Sequence, residues 1–521
     1  MKRWVAGAWL LGAIVWGAGL AVRGQTGGPL PADRSQTIEG LLDESRYQEA
    51  LTSAEEGLKA DPSNPDFGLG KIRALLGLGR PLEAARLAVP LAGRHPDRPE
   101  FRFLAGESAF HLAMVPQAVQ HWSALFSVPG WSETACRRAV NALLATGKEA
   151  EARALLNETL ARFEKPPVGI LRLALSLALK GEEGVRLADR LLLADPANKE
   201  EYEGLKRLYA SIGSASLFEE KLEAAYPVVL PLKEKSEFRD ISSLTWGSGD
   251  IGTAGVTTST RVVTPVAVNG TKEKLMLLDS GSDLCLVSPK WVEELGLKPV
   301  ATAEYLGLGI EGSQTSKWVL LDSVRFGPLT LRHVPAMVIS EKEDFFKEVG
   351  GIIPLSLLRR HGILYDRRHS KLVLHPAGTD PKAALGPDAF KVKSLWPYDR
   401  PFVETSVNGR PGCYFLVDTG AYATFIAAER AREVNVTINS ARFGSQMGSG
   451  LSGAFASGVA ADVTMVLGNT RLNMQTVQVT PLGGGWGLPS YGILGRRDVL
   501  DLFAMWFDYP SNTVAFAPYD K

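Results

Sequence analysis

The sequence predicts a multidomain chain in which an all-α array of helical repeats precedes an all-β region built from two copies of one lobe. Three observations carry this prediction. One phrase of helical period returns every 34 residues in the first half. Beyond about residue 260 the apolar spacing changes to short runs of Val, Ile, Leu, Thr, Phe and Tyr punctuated by Gly, Asn and Pro, the pattern of strands and turns. Within that second texture, two segments of matching order each deliver an Asp-Ser/Thr-Gly triplet at the end of an apolar run.

At the N-terminus, Lys2 and Arg3 precede a largely apolar run from Trp4 to Val22 and the small-rich Val22-Arg23-Gly24-Gln25, the shape of a secretory leader. Residues 1–24 are expected to be a signal peptide cleaved after Gly24, or an uncleaved anchor, since about 20 apolar residues span a bilayer. Both outcomes export the remainder, to a periplasmic, membrane-anchored or secreted location. The membrane is a partner only if the leader is retained.

With 521 residues the chain exceeds a single core and calls for two or three domains. Apolar residues make up 45% and charged residues 22%, with 57 basic side chains balancing 57 acidic ones, a globular composition. The absence of a Lys/Arg run argues against a nucleic-acid partner. Cys136, Cys285 and Cys413 form neither a disulfide framework nor a metal-type Cys-x-x-Cys spacing, and allow one disulfide at most. The seven histidines contain no His-Glu-x-x-His, so neither metal nor other cofactor is expected.

Residues 37–226 are rich in Ala, Leu, Glu and Arg, with apolar positions three and four apart. The recurring phrase reads Tyr47-Gln48-Glu49-Ala50, Pro81-Leu82-Glu83-Ala84, Val115-Pro116-Gln117-Ala118 and Glu149-Ala150-Glu151-Ala152, and a less regular fifth unit holds Arg186-Leu187-Ala188. Pro62, Pro96 and Pro196 close their units. This period resembles the tetratricopeptide family. The resemblance implies a tetratricopeptide-like solenoid whose concave face binds a peptide or a protein partner. The alternative is a spacer for the next domain. Residues 227–260, with Pro227, Pro231 and a Gly/Ser/Thr stretch from Ser242, read as a linker.

The β half divides into lobe 1 (261–376), a linker (377–400) and lobe 2 (401–518). Each lobe opens with a hairpin signal, Asn269-Gly270 or Asn408-Gly409. Each then runs into its triplet, Asp279-Ser280-Gly281 or Asp418-Thr419-Gly420. Downstream, Gly351-Ile352-Ile353-Pro354 matches Gly492-Ile493-Leu494-Gly495, and Leu364-Tyr365-Asp366 matches Trp506-Phe507-Asp508.

These paired elements resemble the aspartic peptidases, specifically a retropepsin-type lobe present twice in a two-lobed, pepsin-like arrangement over residues 261–518. The resemblance implies that Asp279 and Asp418 form a catalytic pair. Two carboxylates held close cannot both ionise, so one keeps a proton: the ionised member activates water while the protonated one polarises the scissile carbonyl. Ser280, Gly281, Thr419 and Gly420 are expected to position the pair, with the glycines permitting tight loops. Glycine-rich hairpins carrying Gly307, Gly309 and Gly312 in lobe 1, and Gly448 and Gly450 in lobe 2, are the expected flaps over a peptide or protein substrate.

Lobe 1 departs from the pattern at Pro354, where lobe 2 has Gly495; proline lacks an N–H, which is expected to alter the backing of the Asp279 loop. Three functional readings follow. One is an exported endopeptidase with its site inside the chain. Another is a non-catalytic peptide-binding scaffold with degenerate lobes. In the third, each lobe pairs with its counterpart in another chain.

Overall fold

A computed structural model of the protein describes residues 32–44, 46–112, 114–178, 180–240, 257–305, 314–338, 349–437, 446–450, 453–480 and 490–519. The leader assigned to residues 1–24 lies outside them. Among the described residues, no helix is long and apolar enough to cross a membrane.

The first half folds into helices: α1 (Ala32–Asp43), α2 (Tyr47–Ala60), α3 (Pro65–Gly77), α4 (Pro81–Arg94), α5 (Pro99–His111), α6 (Val115–Ser123), α7 (Ser132–Ala145), α8 (Glu149–Arg162), α9 (Val168–Ser176), α10 (Gly181–Ala194) and α11 (Lys199–Ile212). Proline opens α3, α4 and α5, where its missing N–H costs nothing. The repeat alanines Ala50, Ala84, Ala118 and Ala152 lie on α2, α4, α6 and α8, each fully buried where the small side chain lets helices approach. Successive units are laced by ion pairs Glu39–Arg73, Asp66–Arg98 and Glu107–Arg138.

The chain divides near Pro166 into two compact units, with α1–α8 in one and α9–α11 with the strands in the other. In the second unit, Gly184 on α10 meets the ring of Tyr209 on α11, and an added Cβ would sit 2.1 Å from it. Tyr209 is in turn held by donating to the Leu175 carbonyl at 2.9 Å. Gly184→Ala is therefore expected to cost about 1–3 kcal/mol through overpacking. A fall of several degrees in Tm, followed by far-ultraviolet circular dichroism, checks this; an unchanged Tm contradicts the contact.

Helical structure stops at Ile212, short of the expected limit of 226. The next strands are β1 (Glu219–Leu222), β2 (Val228–Pro231) and β3 (Lys233–Asp240), pairing with β strands of the second half, so the expected linker over 227–260 is in its first part sheet. Val228, Leu230 and Leu232 are buried and Val229 is exposed, a period of two that the flanking prolines obscure in the sequence.

Lobe 1 follows with β4 (Thr257–Val268), β5 (Lys274–Asp279), β6 (Cys285–Val287), the short helix α12 (Pro289–Glu294), β7 (Ala301–Tyr305), β8 (Gln314–Phe326), β9 (Leu329–Val338) and β10 (Gly351–Pro354). Then come β11 (His361–Asp366) and β12 (Lys371–Pro376). The region 377–400, expected as a linker, holds helix α13 (Pro381–Leu385) and strands β13 (Phe390–Val392) and β14 (Ser394–Leu395), which add to the sheets, and a fully buried Trp396 fastens it down. Lobe 2 comprises β15 (Phe402–Val407), β16 (Arg410–Val417), β17 (Phe425–Ala427), β18 (Gln446–Gly450), β19 (Gly453–Leu467), β20 (Thr470–Thr480) and β21 (Ser490–Leu494), closed by β22 (Phe503–Asp508) and β23 (Thr513–Pro518).

The duplication read in the sequence is a duplication of topology. In lobe 1 the strands run β9-β6-β10-β5-β4-β8, and in lobe 2 β20-β17-β21-β16-β15-β19 through the same pairings. Both hairpin turns have positive φ at Asn and Gly, 51° and 72° at Asn269-Gly270 and 48° and 83° at Asn408-Gly409, as a tight primed turn requires. The last strands of the two lobes pair with each other, β11 antiparallel to β22 with Leu364 opposite Trp506, inside one six-stranded sheet β13-β23-β22-β11-β12-β2. Among the described residues, one large hydrophobic cluster draws on both lobes and this sheet. The lobes therefore associate within one chain, which corrects the intermolecular arrangement.

Candidate active site

The apolar run of β5 drives it into the core, so Asp279 emerges at its buried end; β16 delivers Asp418 in the same way. Behind each triplet a strand runs parallel to the one carrying it, β10 beside β5 with Ile353 opposite Leu278, and β21 beside β16 with Leu494 opposite Val417. The two loops meet face to face. A Cβ added to Gly281 would lie 2.4 Å from Asp418 Cγ, and one added to Gly420 would lie 2.6 Å from Asp279 Oδ2. Each glycine thus makes room for the carboxylate of the other lobe.

Ser280 and Thr419 join the loops by reciprocal hydrogen bonds. The Ser280 N–H donates to Thr419 Oγ1 and the Thr419 N–H donates to Ser280 Oγ, both at 3.0 Å. Each hydroxyl then donates to a carbonyl across the interface, Ser280 to Val417 at 2.7 Å and Thr419 to Leu278 at 3.0 Å. All of these groups are buried. Within each loop the carboxylate accepts two backbone N–H groups. Asp279 Oδ1 takes those of Gly281 at 2.7 Å and Ser282 at 3.2 Å, and Asp418 Oδ1 takes those of Gly420 and Ala421, both at 2.8 Å. Pro354 therefore leaves the cradle of Asp279 intact.

Burial, with the neighbouring Asp418 charge second, holds the Asp279 carboxyl well above the usual carboxylate range, against the pull of the two N–H donors. Asp279 is 9% exposed, whereas Asp418 is half-buried. A proton shared by the pair is the expected consequence.

The structure brings together Asp279, Ser280, Gly281, Asp418, Thr419 and Gly420. Gly307, Gly309 and Gly312 lie outside the described residues, between β7 and β8, which pair as a hairpin. Gly448 and Gly450 lie on β18, which pairs with β19 so that Gly450 faces Gly453. Cys136, Cys285 and Cys413 are buried free thiols, so the single disulfide allowed by the count is absent from the described chain.

A set of contacts in lobe 2, not repeated among the described residues of lobe 1, escapes sequence reasoning. The Gly495 N–H donates to Thr424 Oγ1 at 3.1 Å, and the Thr424 N–H donates to Asp498 Oδ2 at 2.8 Å. The N–H groups of Arg496 and Arg497 donate to the carbonyls of Ala421 and Tyr422 at 3.0 and 2.8 Å. The available signal is the departure of Arg496-Arg497-Asp498 from Leu355-Ser356-Leu357.

A match to a family model agrees with this geometry. Residues 264–364 and 403–497 match the family model described as aspartyl protease, and residues 41–107 match that of the tetratricopeptide repeat. Among solved structures, a retropepsin-like aspartic protease from Rickettsia conorii shares 18% identity over 29% of this chain and 96% of its own, with a TM-score of 0.18. A thermophilic TPR protein from Thermus thermophilus shares 21% identity over 35% of this chain and 98% of its own, with a TM-score of 0.24. No curated protein matches. The β region thus holds two lobes of one topology, each matched by the aspartyl-protease family model. It follows tetratricopeptide repeats, and the chain is a peptidase-like protein with a helical array.

Proposed function

We propose that the chain is an aspartic endopeptidase, exported to the periplasm, anchored in the membrane or secreted, whose tetratricopeptide array holds a substrate protein or a partner. The observation that carries this reading is the facing pair of loops in which Gly281 abuts Asp418 and Gly420 abuts Asp279. Half-buried Asp418 is the natural base for water, and deeply buried Asp279 the natural holder of the proton that polarises the scissile carbonyl. As the tetrahedral intermediate collapses, the pair passes a proton to the leaving amine. The hairpins β7–β8 and β18–β19 are the proposed covers of the bound peptide.

The pH dependence follows from the raised Asp279 carboxyl. Because its folded pKa lies above the unfolded value, the native state holds the proton longer, and the associated stabilisation is complete below the ordinary carboxyl range. It is lost as pH rises through the raised value. Cleavage should fall over the same interval as the shared proton leaves. The experiment is digestion of a mixed peptide library across acid to neutral pH, with and without a transition-state-mimicking inhibitor of aspartic peptidases. Inhibitor-sensitive cleavage that declines as the pair deprotonates is expected; a folded chain that cleaves nothing at any pH would favour the scaffold reading.

A further inference from the structure

The two halves of the dyad are built on different supports. The lobes superpose position by position through their matching registers: Ile352 opposite Leu286 corresponds to Ile493 opposite Phe425. The same correspondence sets Pro354 against Gly495 and Cys285 against Thr424. In lobe 2 a backbone N–H at the first position donates to a hydroxyl at the second, at 3.1 Å. In lobe 1 the N–H is gone, because the residue is proline, and the hydroxyl is gone as well, because the residue is cysteine. Donor and acceptor are lost together, so neither is left stranded.

The difference extends along the whole segment. Gly495–Asp498 holds the loop 421–424 by four hydrogen bonds, to the Ala421 and Tyr422 carbonyls, the Thr424 hydroxyl and the Thr424 N–H. Arg497 adds an ion pair to Asp498 at 2.7 Å and lies over the Tyr422 ring. Gly495 admits no side chain, since an added Cβ would stand 2.1 Å from the Ala423 backbone. Among the described residues, no such bonds tie Leu355–Leu357 to Ser282–Cys285, and the buried Ser356 hydroxyl finds no partner. Leu355, Leu357 and Cys285 pack there into the core instead.

We infer that Thr424 and Asp498 are positioning residues for Asp418: they clamp its loop so that this carboxylate is the fixed reference of the dyad, while Asp279 rests on apolar packing. The inference rests on the peptidase reading for its kinetic consequence but not for its structural one. Thr424→Val keeps the shape and removes the acceptor, and a displacement of ~1 Å costs about a hundredfold in rate. With a peptide substrate of the wild-type chain, Thr424→Val should lower kcat by about ten- to a hundredfold with KM changed less than about twofold. Thr424→Ser should restore kcat. Cys285→Val, at the matching place in lobe 1, should leave kcat within about twofold.

Hydrogen exchange of the full chain supplies a readout independent of catalysis. Peptides spanning 417–424 should exchange at least about tenfold faster in Thr424→Val than in Thr424→Ser, while those spanning 278–286 keep their rate. Equal exchange in the two variants, or equal acceleration in both lobes, would overturn the inference whether or not the chain cleaves peptides. A wild-type chain that is inactive but shows the local acceleration sinks the peptidase reading alone.

Discussion

Asp418→Asn should leave a folded protein whose peptide cleavage is slower by on the order of a thousandfold, the scale of losing a general acid–base group. The amide keeps an oxygen to accept the N–H groups of Gly420 and Ala421, which lie 2.8 Å from Asp418 Oδ1. The loop therefore has no reason to open. What disappears is the negative charge that, on the proposed mechanism, would activate water and that, second to burial, raises the Asp279 carboxyl. The Asp279 carboxyl should accordingly titrate at lower pH in the variant, and the melting temperature should not fall. Measuring kcat beside thermal unfolding separates the two effects. Cleavage retained within tenfold of the wild type would remove Asp418 from the chemistry.

Thr419→Val should damage stability and rate together. The substitution is nearly isosteric, but it strips the Ser280 N–H of its acceptor and the Leu278 carbonyl of its donor, both at 3.0 Å and both buried. Each stranded group costs about 1–3 kcal/mol, so about 2–6 kcal/mol should be lost in urea denaturation. The loss of the crossing bonds also frees the loops to drift, adding a fall in kcat that Thr419→Ser should largely avoid. An equilibrium midpoint equal to the wild type would mean that the reciprocal bonds do not hold the lobes together.

Much of this architecture is legible in the sequence because it is periodic or duplicated. Ala50, Ala84, Ala118 and Ala152 mark the helical crossings by spacing alone, and both Asn-Gly pairs turn as their chemistry requires. The paired triplets announce the facing carboxylates, since a motif repeated in a repeated context has little chance of being accidental. Features that depend on a single pairing partner are hidden. Glu219–Leu222 carries no strand signal of its own and becomes sheet because β9 offers it an edge. Thr424 looks like any threonine until Gly495 and Asp498 are brought to it. Pro354 reads as a defect when isolated, yet with Cys285 standing where lobe 2 has Thr424, the lost donor is matched by a lost acceptor.

The helix α11 packs directly on β7: a Cβ on Gly204 would stand 2.9 Å from the Ala301 backbone, and Ala301 is buried. The strand β1 likewise completes the edge of β9. The border between helix and strand in the sequence is thus not the border of the inheritable module. A recombination event that exchanged helical arrays at residue 213 would bare Ala301 and leave the new neighbour to fit the lobe-1 sheet by chance. One at Pro166, between the compact units, would carry α9–α11 along with the lobes they cover. Shuffling of helical arrays among proteins of this build should therefore leave the last three helices with the two-lobed β half.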